Sequence, residues 1–195
     1  MMIYKRVDVM NLRVEPISQN SKEIDKIKEL FYKSFPKNER MPLWFLLKRA
    51  KMDFVDFIAI YDNNVFVGFT YLITNRNLTF VLYLAINDKI RSKGYGRRVL
   101  SQIKEKYPNN RIILNIEVVD ETASNYEHRV KRKMFYIRNG YQNSNFIVKD
   151  HGGLYELMIY GSDVTKEEYY DLIKRFTGSM LFLFVKPKII LSKDL

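Results

Sequence analysis

The sequence predicts a mixed α/β domain, with helices flanking a central sheet of mixed strand direction and a helix and strand appended at the C-terminal end. Three observations predict it. A charge-free run, Val81 to Ile86, leads through a glycine-containing turn into an amphipathic helix that ends near Tyr107. Before it, apolar stretches of strand length are joined by short Asn-rich turns, which is hairpin grammar. After it come a strand, a helix and a closing strand pair. Hairpins give antiparallel neighbours, whereas a strand–helix–strand unit gives a parallel pair, so both directions should share one sheet.

Taken in order, Leu12 to Ile17 alternates in character and reads as a first strand. Asn20, with Glu23 three residues later, has the spacing of a capping box. Ile24, Ile27, Phe31 and Phe35 then mark one apolar helix face that stops before Pro36. Pro42 suits the first turn of a short second helix through Leu43, Leu46, Leu47 and Ala50. Phe54–Tyr61 and Val65–Ile73 read as strands around the turn Asp62-Asn63-Asn64, and Asn75-Arg76-Asn77 turns the chain again. The run Val81–Ile86 is rich in β-formers and lacks polar alternation, as a strand buried on both faces does.

Beyond the glycine turn, Val99, Leu100, Ile103 and Tyr107 recur at helical spacing, with Arg97, Arg98, Lys104 and Glu105 on the other side. Pro108-Asn109-Asn110 breaks that helix, and Arg111–Val119 is the next strand. A helix from about Asn125 to Asn139 stops at Gly140, placed for a left-handed cap. Tyr141–Val148 and Leu154–Tyr160 close the sheet around Asp150-His151-Gly152-Gly153. Thr165 with Glu168 then starts a last helix. The division expected is a main domain over residues 1–160 and an appendage over 161–195 packed on it.

A chain of 195 residues, 47% of them hydrophobic, can bury one sizeable core. With no Cys, disulfides, thiolate metal sites and a cysteine nucleophile are excluded; two His argue against a multi-histidine metal centre. The N-terminus lacks the apolar stretch of a secretory leader, and the apolar runs Met180–Val185 and Ile189–Leu191 fall far below the ~20 residues of a membrane span. The expectation is a cytoplasmic protein with no membrane partner. The run Leu181–Val185 offers an apolar surface to a second copy of the chain.

The net charge of +11 is concentrated in residues 1–110 without forming one block. The densest cluster, Arg129 to Lys133, lies on an expected helix and reads as a solvated face. Charge is the sole support for nucleic-acid binding, since no zinc-finger, helix-turn-helix or RNA-binding aromatic pattern accompanies it.

The chemistry concentrates at Arg91-x-x-Gly94-x-Gly96. A buried strand, a glycine loop and a helix start bring several unpaired N–H groups and the positive end of a helix dipole together, which suits a phosphate or pyrophosphate. Glycine lets the backbone approach such a group, and Arg91 and Lys93 can add charge-assisted contacts. Glycines before a helix also serve as plain turn formers. Neither a Walker loop nor a dinucleotide fingerprint is present.

That loop after a buried strand, together with Phe135-Tyr136-x-x-x-Gly140-Tyr141 ending a later helix, resembles the GNAT superfamily of acyl-CoA-dependent N-acyltransferases over about residues 11–160. The resemblance implies a GNAT-type sheet and acetyl-CoA as co-substrate. It also implies direct transfer of the acetyl group to a primary amine on a small molecule or a protein. It assigns the CoA pyrophosphate to Arg91, Ser92, Lys93, Gly94, Tyr95 and Gly96, and the pantetheine arm to the main chain of Leu84, Ala85 and Ile86. Tyr136 matches the tyrosine that faces the sulfur and protonates the departing thiolate; a place in the core is its structural alternative. Glu117, near the end of its strand, matches a carboxylate that some members use as the base. A strand-end glutamate paired with a basic neighbour is the alternative there.

One departure stands out. Where family members often carry Asn and Ala early in the Tyr-bearing helix, this chain has Arg129 and Arg132. That departure, with no acid on the Val81–Ile86 strand, keeps open a non-catalytic module of the same fold that binds CoA or none.

Overall fold

The computed structural model describes residues 12–91, 93–150 and 153–191. Its strands are β1 (Arg13–Pro16), β2 (Val55–Asp62), β3 (Val65–Asn75), β4 (Leu78–Ile86), β5 (Arg111–Glu117), β6 (Gln142–Asp150), β7 (Gly153–Tyr160) and β8 (Lys188–Leu191). They form a single sheet in the order β1-β2-β3-β4-β5-β7-β6-β8. Neighbours are antiparallel except β4 and β5, which run parallel. Two-residue turns explain the hairpins: Asn63 and Arg76 both adopt positive φ, the conformation that reverses twisted strands tightly.

The helices divide between the two faces. Side chains of α1 (Ile24–Ser34), α2 (Leu43–Arg49) and α5 (Lys166–Thr177) share one core with Phe57, Phe69, Tyr71, Phe80 and Tyr83 of the sheet. On the other face, Val99, Leu100 and Ile103 of α3 (Tyr95–Lys106) pack on Val67, Leu72, Val81, Ile112 and Leu114. Phe135 and Tyr136 of α4 (Tyr126–Arg138) join that second core. Helix α3 is the crossover that a parallel β4–β5 pair requires.

Two expectations change. The capping box at Asn20 and Glu23 does not form: α1 begins at Ile24, Glu23 occupies the cap position, and neither side chain caps. Ser18 and Ser21 organise that turn instead, Ser18 N–H donating to Ser21 Oγ at 2.8 Å. The second change concerns β1, all four residues of which are exposed, the buried ones being the flanking Leu12 and Ile17. An edge strand met by one neighbour need not alternate.

At the other end, α5 and β8 are built into the same core and sheet. The short helix α6 (Ser179–Val185) buries Phe182 and leaves Leu183 and Phe184 exposed. The start of α5 is pinned by Glu168, which completes a true capping box with Thr165. Arg111 of β5 grips that carboxylate with both terminal nitrogens, at 2.6 and 3.1 Å. The Arg111 hydrogen bond, followed by the Thr165 N–H, lowers the Glu168 pKa from 4.5 to about 2. A carboxylate depressed in this way stabilises the fold above its unfolded pKa and ceases to as pH falls through its folded one. Urea denaturation should therefore find Glu168→Gln less stable than wild type near neutral pH. That gap should close between 4.5 and about 2.

Candidate active site

Strands β4 and β5 begin as a pair and do not stay one. Leu78, Thr79 and Phe80 oppose Arg111, Ile112 and Ile113, and no pairing follows. Each strand runs on, to Ile86 and Glu117, so the edge of β4 that faces β5 carries main-chain groups with no strand beside them. The register with β3 slips at the same place: Tyr71 opposes Tyr83 while Leu72 opposes Val81, which leaves Leu82 as an extra, bulged residue. The bulge breaks the alternation. Phe80, Leu82, Tyr83 and Ala85 belong to the α1/α2/α5 face, and Val81, Leu84 and Ile86 to the α3/α4 face.

The split opens a cleft of about 880 Å³ that reaches both faces of the sheet. On the α3 side it is lined by Leu84, Ile86, Arg91, Gly94, Tyr95, Gly96 and Arg97. Gly94 sits at φ +80°, in the left-handed region, and carries the chain into α3, whose first turn has no side-chain cap. No side chain caps those N–H groups, which is the arrangement that suits an anion. Gly96 has a different reason: a Cβ there would lie 3.0 Å from the Phe135 ring of α4.

Arg91 is tied to the end of β4, its Nε donating to the Ile86 carbonyl at 3.2 Å. Tyr95 turns its hydroxyl to Asp62 at the β2–β3 turn, 2.9 Å away, so it anchors the helix start while its amide remains in the loop. Lys93 is exposed and does not line the cleft. Ser92 lies outside the described residues, as does His151.

Tyr136 lines the cleft from α4, stacked edge-on against Phe135 and Tyr141. Burial pushes its phenol up to about 12, with Arg132 opposing. Glu117 lines the cleft from the end of β5, but both its oxygens are engaged. Arg129 Nη2 lies 3.1 Å from Oε1, Arg132 Nη1 lies 3.0 Å from Oε2, and Asn125 Nδ2 donates to Oε1 at 3.3 Å. Arg129 also donates to the Val118 carbonyl at 2.9 Å. The two arginines at the unusual positions thus tie the first half of α4 to the end of β5.

On the opposite side, the cleft is walled by residues that the sequence did not assign to a site. Phe35, Glu39, Tyr83, Asn115, Asp150 and Tyr155 all line it. Tyr83 donates to the Glu39 carbonyl at 2.9 Å and accepts from the Met41 N–H at 2.9 Å, clamping the turn between α1 and α2 onto β4. Tyr155 of β7 donates to Glu39 Oε1 at 3.2 Å, across 116 positions of sequence. No sequence pattern joins such residues; the one hint was a carboxylate in a short linker bracketed by Pro36 and Pro42. Among the described residues, no group of three His, Cys, Asp or Glu could hold a metal ion, and no helix is long and apolar enough to cross a membrane.

Residues 53–143 match the family model described as acetyltransferase (GNAT) domain. A search among curated proteins finds no match. Among solved structures, the fold resembles a putative GNAT-family acetyltransferase from Bacteroides thetaiotaomicron at 22% identity and TM-score 0.68, covering 87% of this chain and 98% of that one. It also resembles an aminoglycoside 6'-N-acetyltransferase complexed with coenzyme A at 14% identity and TM-score 0.58, covering 78% and 99% of the two chains. A mutant spermidine N-acetyltransferase from Vibrio cholerae aligns at 14% identity and TM-score 0.58, over 76% and 92%. At these identities the likeness is one of fold.

Proposed function

We propose, from the match of residues 53–143 to the GNAT acetyltransferase domain and from the geometry of the cleft, that the protein moves an acetyl group from acetyl-CoA directly to a primary amine. The observation that carries the reading is the split between β4 and β5. It joins an uncapped helix start, an open strand edge and a tyrosine hydroxyl in one cleft. In this reading the α3 amides from Gly94 onward and the Arg91 and Arg97 side chains would hold the pyrophosphate. The main chain of Leu84, Ala85 and Ile86 would pair with the pantetheine arm and offer an N–H to the developing oxyanion.

Acetyl-CoA supplies the activated thioester; the chain's own residues orient it and move protons. The amine nitrogen attacks the carbonyl carbon, the C–N bond forms, the C–S bond breaks, and the electron pair leaves on sulfur. Tyr136 gives its proton to that sulfur and recovers one from the nitrogen. With its pKa pushed up to about 12, the phenol does not part with its proton to leave a free phenolate. Giving and recovering are therefore one concerted relay. Glu117, expected as the base, is in this reading the carboxylate that holds α4 against β5 through Arg129 and Arg132. The acceptor is a small-molecule or protein amine, and the setting is the cytoplasm.

The test is release of free CoA thiol from acetyl-CoA with a panel of primary amines that includes spermidine and an aminoglycoside. Calorimetry supplies the binding half. A side chain on Gly94 meets no neighbour, so Gly94→Ala strains only the left-handed backbone, by about 1 kcal/mol, and re-aims the α3 amides. It should weaken coenzyme A roughly tenfold, while rising salt weakens the wild type through Arg91 and Arg97. Unchanged affinity would remove the loop from the site. Tight binding with no acetyl transfer would favour the non-catalytic module.

A further inference from the structure

We propose that Glu39, clamped in the cleft by Tyr83 and Tyr155, is the carboxylate that takes the proton from the incoming ammonium. The inference rests on the acetyl-transfer reading above and names its missing base. Three observations carry it.

First, the cleft passes through the sheet. The cofactor loop and Tyr136 stand with the α3/α4 face, and Glu39, Tyr155 and Asn115 stand with the other. An amine that meets a thioester held along β4 has this second face open to it. Second, among the described residues no ion pair neutralises the Glu39 carboxylate. Its main chain is fixed by the Tyr83 hydroxyl, and its carboxylate accepts from a neutral phenol, whereas Glu117 has two guanidinium partners. Third, Asn115 lines the same cleft; its Oδ1 is buried and without a hydrogen-bond partner among the described residues, while its Nδ2 is committed to the Tyr169 hydroxyl at 3.1 Å. An acceptor oxygen in that state suits a second N–H of the ammonium.

The electrostatics agree. Burial raises the Glu39 pKa first, the negative Glu117 second and Asp150 more weakly, against the Tyr155 hydrogen bond and the more distant Arg132. Among the described residues, Tyr83 from β4 adjoins it, with Arg40 of the Glu39 turn acting on Tyr83. A raised carboxylate narrows the gap to an alkylammonium of pKa ~10.4, which an ordinary glutamate of ~4.3 leaves wide. The proton balance closes: R–NH3+ gives one proton to Glu39, which passes it to solvent. The nitrogen's second proton reaches sulfur through Tyr136.

The test uses the full chain with coenzyme A bound. Carbon-13 detection of the Glu39 carboxyl, assigned with Glu39→Gln, should give a titration midpoint above that of an ordinary glutamate, displaced when spermidine is added. Tyr155→Phe removes a hydrogen bond that favours the carboxylate, so the midpoint should move up. With any accepted amine, Glu39→Gln should lower kcat/KM by about 10²–10⁴-fold and abolish its acidic limb, while Tyr155→Phe shifts that limb to higher pH. Glu39→Asp should restore part of the rate together with the limb. An acidic limb unchanged in Glu39→Gln, or lost only in Glu117→Gln, would overturn the proposal. So would a Glu39 signal indifferent to spermidine. If no amine is acetylated, the transfer reading fails on its own, and the carboxyl titration still decides whether Glu39 meets an ammonium.

Discussion

Tyr136→Phe is expected to lower kcat by about 10²–10⁴-fold while leaving coenzyme A affinity within about twofold, because it removes a proton donor and no packing. The stability readout sharpens this. The Tyr136 hydroxyl has no hydrogen-bond partner among the described residues, and burial pushes its phenol up to about 12. Deleting an unpaired polar atom from a half-buried place should leave the melting temperature unchanged or slightly higher. A purely structural tyrosine would give the opposite pair of results, a normal rate and a less stable protein. Stopped-flow turnover, calorimetry and thermal denaturation on the same two samples separate the cases.

The largest effect on stability is expected at Gly68. It sits in β3 directly against β4, and a Cβ there would lie 2.0 Å from the Ala85 carbonyl oxygen and 3.1 Å from Ile86 Cα. Neither atom belongs to a side chain that could swing away, so the strands themselves must part. Gly68→Ala should cost about 3 kcal/mol in urea denaturation, at the upper end of ordinary overpacking. Any protein that still folds should bind coenzyme A poorly, since the displaced segment, Ala85 and Ile86, is the one assigned to the pantetheine arm. Normal affinity in a destabilised Gly68→Ala protein would detach those residues from the cofactor.

Much of this architecture was legible because its signals are local. Helical spacing in Val99, Leu100 and Ile103, a glycine after Asn139, and proline at position 42 each act within a few residues. Even so, one motif gave two outcomes. Thr165 and Glu168 form their capping box with Arg111 reinforcing it, whereas Asn20 and Glu23 lose theirs to a serine turn. The side of the cleft proposed for the cofactor was legible for the same local reason, since Gly94 and the start of α3 adjoin in sequence. The opposite side was not: Glu39 meets Tyr155 only once the sheet is assembled. The bulge at Leu82 was hidden by the very run that revealed the strand, since an unbroken apolar stretch has no alternation in which a slip could be seen.

That single surplus residue gives β4 two phases of reading along one strand. Up to Val81 the even positions look to one side of the sheet; from Tyr83 onward the odd ones do. The strand is thus able to present Tyr83 to the turn that carries Glu39 and, one position later, Leu84 to the face that carries the glycine loop. Its tolerance of change is correspondingly lopsided. Apolar side chains there can be exchanged for others of similar volume, but the spacing between Phe80 and Ile86 is a fixed interval. A lost or gained residue would exchange the two faces for everything beyond it while leaving the composition of the strand almost untouched.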